Sequence, residues 1–339
     1  MTSNQDTVLS GIQPTNEMHF GNYFGAVKNW VSLQDKYHCI YGIVDYHAMT
    51  MPYIPENLQR NTMNMVIDLL ACGIDPDKSI LFIQSLVPEH TELTWILSCY
   101  CSYGELQRMT QFKDKSESDK LQEKGTIIST GLFVYPVLQA ADILIYKAGF
   151  VPVGKDQEQH LELSRNIAIR FNNRHGEYFR EPKALFTEVP KLLSLADPTK
   201  KMSKSLGDQH VIRLFEEEAT IRKKIKTAVT DSGPRTDVMS PGVANLFELL
   251  KACEKTEEYN SLMKDYNAGT LKYSALKEYV ANALVDLSRH FSMKKSELLS
   301  NPAAIEEQVY AMSALARSIA KETIREVREL VGLPRWKGN

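Results

Sequence analysis

The chain has 339 residues, 43% hydrophobic and 24% charged, and its 40 basic residues against 42 acidic ones leave a net charge of −2. That length suits two domains with a sizeable core, and the near balance of charge confines any nucleic-acid binding to a local patch. Five cysteines without a CxxC pair argue against a disulfide framework, a zinc site or an iron–sulfur cluster. The N-terminus has neither a basic start nor an apolar core, and no apolar run reaches membrane-spanning length, so the expected location is cytoplasmic.

In chain order, "TVLSGIQ" (Thr7–Gln13) reads as a strand that leads to Pro14. Phe20, Phe24, Val27 and Val31 then follow helical spacing, with Tyr23 and Trp30 beside the stripe. "HCIYGIVDY" predicts a buried strand, "LQRNTMNMVIDLLACG" a helix stopped by Gly73, and "SILFIQS" the next strand. This alternation points to a right-handed parallel α/β unit. From Glu89 to about Lys147 the pattern is mostly helical, broken by the charged stretch "KDKSESDKLQEKG". "FVPV" returns to a strand, and "DQEQHLELSRNIAIRF" to a helix with Asp156 as N-cap. Residues 172–195 read as irregular.

Beyond about Leu214 the strand signals stop. The last helix is the clearest, with Pro302 near its start and Gly332 and Pro334 at its end. Ile305, Val309, Met312, Ala316, Ile319, Val327 and Val331 form its stripe. The expected fold is therefore α/β: a Rossmann-like doubly wound parallel sheet with a mostly helical insertion, followed by an all-helical C-terminal domain. The boundaries are 1–213 for the first domain, with the insertion at about 89–147, and 214–339 for the second.

Two short stretches carry chemistry. "HFGN", His19 to Asn22, lies where the first strand hands over to a helix, and a helix N-terminus at the carboxyl end of a strand attracts phosphate. His19 offers an imidazole donor, Asn22 an amide, and Gly21 lets a flat ring approach the backbone. The same residues also suit a plain helix cap. "DPTKKMSKSLGD", from Asp197, gathers three lysines in one loop. It reads either as a solvated face or as a mobile cationic loop that closes on a polyphosphate. Neither a P-loop nor a GxGxxG fingerprint occurs, so ATP would have to be held by these other devices.

These stretches stand in a longer order: "GIQPTNEMHFGNY", "IVDYHAMT", "GELQRMTQFKDKS", "YPVLQAADILIY", "VPVGKDQEQH" and "DPTKKMSKS". Together they resemble the tryptophanyl-tRNA synthetases over nearly the whole chain. His19–Asn22 looks like the HIGH element of class I aminoacyl-tRNA synthetases, and Lys201–Ser205 is KMSKS verbatim, in a loop taken as 197–208. The resemblance implies ATP-dependent activation of tryptophan and its transfer to tRNA(Trp) by a homodimer, with Mg2+ accompanying ATP and no dedicated protein metal site. The helical domain would approach the anticodon. No nucleophilic side chain or general base is required, because positioning and charge neutralisation supply the rate.

The resemblance also implies roles. Lys201, Lys204, Lys115 and His19 would act on the phosphates. Gln13, Thr15, Gly21, Asn22, Gly154, Asp156, Leu192, Met202, Ser203 and Ser205 would complete the ATP site, with Asp156 at a ribose hydroxyl. Asp142 would accept the indole N–H, and Tyr135, His47 and Gln157 would meet the α-ammonium group. Val44, Val151 and Val153 would wall the indole, with Leu9, Gly11 and Gln139 beside it. Gln139 and Tyr135 lie one and two helical turns from Asp142, so one face carries all three. Without the other motifs, the reading to prefer for Asp142 is a carboxylate satisfied within a helix pair. Lys200 stands outside the five-residue motif and is expected to be solvated.

Three positions depart from the commoner family pattern: Asn16 for Gly, Lys155 for an acidic residue, and Gln139 for Met. The Gln139–Asp142 pair is somewhat tyrosyl-like and keeps tyrosyl charging as an alternative, against which "VPVGKDQEQH" has the tryptophanyl form. A small adenylyltransferase would be shorter. A synthetase-derived binding protein would be expected to have lost part of KMSKS or of His19, Gly21 and Asn22. Arg222, Lys223, Lys224 and Lys226 of "IRKKIK" suit either phosphate contacts or a solvated helix face.

Overall fold

Five parallel strands lie in the order β3-β2-β1-β4-β5, with β1 at Thr7–Ile12, β2 at His38–Ile43, β3 at Ser79–Ile83, β4 at Phe150–Pro152 and β5 at Lys183–Leu185. The computed structural model describes residues 6–334 except 16, 111–126, 155–156, 187–189, 191 and 232–237. Register runs unbroken from Thr7 opposite His38 to Ile12 opposite Ile43, and from Cys39 opposite Ser79 to Ile43 opposite Ile83. β2 and β3 are buried on both faces almost throughout, which is why they read as continuous apolar runs. The chain builds outward from β1 through β2 to β3, then returns to place β4 on the other side of β1. That reversal opens a crevice at the carboxyl ends of β1 and β4.

The helix stopped by Gly73 is Pro55–Ala71, with the glycine at φ 106°. Between β3 and β4 lie the helices Glu89–Ser98, Tyr103–Gln107 and Thr130–Ile145. One expectation is corrected. The stretch 172–195 is not wholly irregular: the preceding helix continues to His175, and the segment then supplies β5. Three residues pairing only with β4 are too few to show a periodicity. The described part of that helix begins at Glu158 with Gln157 as N-cap, whereas Asp156 lies outside the described residues. In the first helix Trp30 is more deeply buried than Val31, because its ring stacks on Tyr41 of β2 at 4.8 Å and 7°. The Tyr41 hydroxyl also donates to the Trp30 carbonyl at 2.8 Å.

From Glu218 onward every regular element described is a helix. Tyr273–Leu299 is tied to the first half by the ion pair of Lys295 with the buried Asp68 at 2.6 Å. The last helix, Pro302–Leu330, returns to the edge of the sheet. Ser313 Oγ accepts the Ile83 N–H of β3 at 3.1 Å, and Thr323 Oγ1 donates to the Ile145 carbonyl at 2.7 Å. Arg317 pairs with Glu89 at 3.0 Å. An edge strand is thereby covered rather than left open to pair with another chain.

Candidate active site

A cavity of about 320 Å³ opens at the crevice between β1 and β4. Its floor exists because two glycines face each other in register, Gly11 of β1 and Gly42 of β2. A Cβ on Gly11 would lie 2.9 Å from Val44 Cγ1, and one on Gly42 would lie 2.9 Å from Phe82 Cζ. The two missing side chains leave the room, and Val44 and Phe82 form the walls. Across from them the Thr130–Ile145 helix presents Tyr135, Gln139 and Asp142 on one face, as their spacing requires.

Asp142 is 5% exposed and heavily partnered. Oδ1 accepts from Gln84 Nε2 at 2.7 Å and from His90 Nδ1 at 2.6 Å, and Oδ2 accepts from His47 Nε2 at 2.8 Å. Burial by itself pushes the carboxyl pKa up, but the hydrogen bonds and charge of His47 and His90 outweigh it and hold the group below the usual carboxylate range. An ionised carboxylate has about four acceptor sites, so one remains, on Oδ2. Tyr135 meets His160 Nε2 through its hydroxyl at 2.9 Å, and burial pushes that phenol up to about 12.

The second half of the site is the turn at His19. Its imidazole Nδ1 accepts the Asn22 N–H at 3.3 Å while Asn22 Oδ1 accepts the His19 N–H at 3.2 Å, a reciprocal cap. Burial first, then the charges of Lys204 and Lys201, bring His19 down to about 4, so the ring is neutral near pH 7 and Nε2 carries its proton. The flat ring that Gly21 admits is that of His19 itself, since a Cβ there would lie 2.9 Å from its Cε1 and Nδ1. The lysine loop rests on this turn. Met202 is buried with Sδ 3.7 Å from the Gly21 Cβ position, and Leu193 and Lys201 form an antiparallel bridge at the loop's base. Arg213, just beyond the loop, bridges in turn to His19.

With this cavity and this turn in place, the chain can be set beside known proteins. The family model for tRNA synthetases class I (W and Y) matches residues 2–288. The chain belongs to that family. It is 42% identical over 336 residues to the tryptophan–tRNA ligase of Clostridium tetani, covering 98% of this chain and 97% of that one. The tryptophanyl-tRNA synthetase of Campylobacter jejuni, solved with ADP and tryptophan, superposes with a TM-score of 0.82 at 38% identity, covering 96% of this chain and 100% of the other. That of Mycoplasma pneumoniae gives 0.86 at 34% identity, covering 98% and 99%.

Within this synthetase the residues expected around the amino acid come together. Leu9, Gly11, Val44, His47, Tyr135, Gln139, Asp142, Val151, Val153 and Gln157 all line the cavity, and so does Gln13. Thr15 is exposed on the way to the turn, with its N–H on the Gln13 carbonyl at 2.8 Å. Leu192 is buried and accepts the Met202 N–H at 3.1 Å; Ser203 is half-buried and Gly154 exposed. Lys201 is exposed, and Lys204 lines a separate recess with Glu17, Arg60, Asp208 and Arg213. Neither lysine lines the amino-acid cavity. Burial, aided by Arg213 and opposed by Glu17 and Asp68, brings Lys204 down to about 8. Lys115, Asp156, Asn16, Lys155 and the side chain of Ser205 lie outside the described residues.

The basic stretch "IRKKIK" separates. Lys224 is buried against Glu216 at 2.6 Å and Asp208 at 3.0 Å, and Arg222 pairs with Glu218 at 2.8 Å. Only Lys223 and Lys226 face solvent without an ion pair among the described residues. Sequence reading passed over Gly42, Phe82, Gln84, His90 and His160. Gly42 did carry a signal, because a lone glycine inside an apolar strand marks a close approach. His90 follows the end of β3 much as His47 follows the end of β2, but nothing local ties either to a carboxylate 52 or 95 residues away.

Proposed function

We infer that the chain is a tryptophan–tRNA ligase. It activates L-tryptophan with ATP to tryptophanyl-adenylate and transfers the tryptophanyl group to tRNA(Trp), releasing pyrophosphate and AMP. The observation that carries the choice of amino acid is Asp142, a buried carboxylate that lines a cavity of about 320 Å³ and keeps one acceptor site on Oδ2. The indole N–H takes that site, Gly11 and Gly42 leave room for the ring, and Val44, Val151 and Val153 wall it. Tyr135, His47 and Gln157 hold the α-ammonium end.

The tryptophan carboxylate attacks the α-phosphorus of ATP. A carboxyl-oxygen-to-phosphorus bond forms, the α–β bridging bond breaks, and pyrophosphate leaves. His19 donates from Nε2 to phosphate, because its Nδ1 is committed to Asn22. Lys201 and Lys204, with Lys115, neutralise charge on the departing group, an effect worth about 3 kcal/mol per donor. Lys204 reaches the phosphates by leaving the recess it shares with Glu17 and Arg213. Gln13, Thr15, Gly21, Asn22, Gly154, Leu192, Met202, Ser203 and Ser205 shape the nucleotide side, with Asp156 at the ribose. Mg2+ enters on the phosphates of ATP.

The transfer step uses the 3′-terminal hydroxyl of tRNA. We assign residues 1–213 to catalysis, with the lysine loop at 197–208, and 214–339 to the helical, anticodon-facing part, whose last helix also backs the sheet. The second copy in a homodimer is proposed to cover the apolar side chains of the insertion: Trp95, Tyr103 and Ile127 are 76%, 67% and 82% exposed. Such a dimer binds one tRNA across both subunits. No described helix is long and apolar enough to cross a membrane, and the proposed setting is the cytoplasm.

The test is pyrophosphate–ATP exchange with tryptophan and tyrosine in parallel, followed by charging of tRNA(Trp). Exchange with tryptophan alone, with its KM raised about 10²-fold in Asp142→Ala, is the expected result. Exchange with tyrosine would overturn the assignment of the pocket.

A further inference from the structure

His90 does not line the amino-acid cavity and is 0% exposed, yet it makes one of the shortest hydrogen bonds to Asp142. The carboxylate can only accept, so His90 Nδ1 carries a proton whatever the charge of the ring. Its other nitrogen, Nε2, meets the Tyr146 hydroxyl at 2.9 Å. One face of the ring stacks on Phe82 at 5.6 Å and 21°, and Phe82 is a wall of the cavity. The imidazole is thus fixed at both nitrogens and on one face. Gln84, equally buried, gives its amide to the same carboxylate oxygen.

This arrangement is asymmetric. Oδ1 takes two donors, both from residues behind the pocket, whereas Oδ2 takes only His47, which does line the pocket. We propose that His90, seconded by Gln84, is a specificity-determining positioning residue: it saturates Oδ1 and so turns a single acceptor site of Oδ2 toward the substrate. The proposal rests on the reading that Asp142 receives the indole N–H. A carboxylate held this way favours a ligand that brings one N–H donor, and it resists a ligand of the same shape that brings none, because the acceptor would then be buried unpaired.

The physical consequence differs from that of a merely structural histidine. The groups facing Asp142 are His47 from the Asp45–Ala48 helix, Gln84 from the turn after β3, and His90 from the Glu89–Ser98 helix. Tyr146 stands behind His90 at the end of Asp142's own helix, and Glu89 in turn stands close to Tyr146. Burial works to raise the Asp142 pKa, and the two histidines work against it. With the His90 donor gone, the carboxyl group takes up its proton at a higher pH. The ionised acceptor is then lost as pH falls, and with it affinity for the indole N–H.

The experiment compares tryptophan with its sulfur isostere, β-(benzothiophen-3-yl)alanine, in pyrophosphate–ATP exchange across pH 5.5 to 8.5. Wild type, His90→Leu, His90→Asn and Gln84→Met are assayed, with folding checked by thermal melting. His90→Leu is expected to lose about 10- to 100-fold of the preference for tryptophan, the range of one hydrogen bond to a charged group. The loss falls in KM with kcat within a few-fold, and KM for tryptophan rises as pH is lowered while KM for the isostere stays flat. His90→Asn, whose amide nitrogen stands where Nδ1 stood, restores most of the preference. Gln84→Met removes the other Oδ1 donor and shows the same signature, which keeps the test decisive if His90→Leu does not fold.

Equal losses for both substrates, or a pH-independent KM, would overturn the proposal. Asp142→Ala separates the two layers. If it leaves the preference intact, the reading of Asp142 itself has failed. If it abolishes the preference while His90→Leu and Gln84→Met keep it, only the role of His90 has failed.

Discussion

The amino-acid side of the site and its phosphate side are built on opposite principles. Around Asp142 the polar side chains Gln84, His47 and His90 are each at most 5% exposed and hydrogen-bonded, and the cavity shape is set by strand register and two absent side chains. At the lysine loop the base is fixed, with Ser194 N–H on the Lys200 carbonyl at 2.8 Å and Met202 buried. The two lysines proposed to act on ATP are not. Lys201 is exposed, Lys204 is partly desolvated, and neither forms an ion pair among the described residues. The side chains proposed to recognise the amino acid are thus held by their own hydrogen bonds. In the proposed mechanism the phosphates of ATP are what Lys201 and Lys204 meet. An unpaired, partly buried ammonium is unfavourable at rest and gains most when an anion meets it.

The largest expected effect breaks the phosphate side alone. Lys204→Met should lower kcat for pyrophosphate exchange by about 10²- to 10³-fold, as for loss of one transition-state donor. Tryptophan binding, followed by equilibrium dialysis, should be unchanged. The mirror experiment is Asp142→Ala, which should raise the tryptophan KM about 10²-fold, the loss of a hydrogen bond to a charged group. Its stability should also fall by about 3 kcal/mol in urea titration, because His47 and His90 lose a buried partner. A variant that damages kcat and tryptophan KM alike would show that the two sides are not separable.

The two sides should also respond differently to pH. Lys204 must be protonated to act, and its folded pKa of about 8 lies below the ordinary lysine value. The active cation is therefore present below that pH and lost above it, so kcat/KM for ATP should fall about tenfold per unit on the alkaline limb. Lys204→Arg should move the limb to higher pH, because guanidinium stays charged. Tryptophan affinity has no matching limb from Asp142, whose carboxyl titrates below the usual range.

Smaller in effect, Gly42→Ala should push its Cβ into Phe82, costing about 1–3 kcal/mol in a denaturant melt. It should raise tryptophan KM severalfold without altering the ATP dependence. Smallest of all, Lys200→Ala removes an exposed lysine that pairs with Asp197 at 3.3 Å. Steady-state exchange should stay within about twofold of wild type, as surface ion pairs contribute little.

What the chain could say by itself follows from range. The HFGN turn, the lysine loop and the Tyr135–Gln139–Asp142 face each depend on residues a few positions apart, so they could be read locally, while their roles came from the ordered set of motifs and its family resemblance. The alternation of apolar runs marked β1, β2, β3 and β4, and the Pro302-to-Gly332 helix announced both its ends. The three-residue β5 was not legible, because its stability comes from pairing with β4 rather than from a pattern of its own.

Only the tertiary structure decided which polar groups answer one another. His90 and Gln84 reach Asp142 across 52 and 58 residues, and Lys224 turns from a helix-face cation into the buried partner of Glu216. Hydrogen bonding and desolvation depend on what lies within about 3 Å, and at such sequence separations that neighbourhood exists only once the chain has closed. The sequence determined the chemistry this protein has available, and the fold determined where a donor, a carboxylate and an empty space coincide.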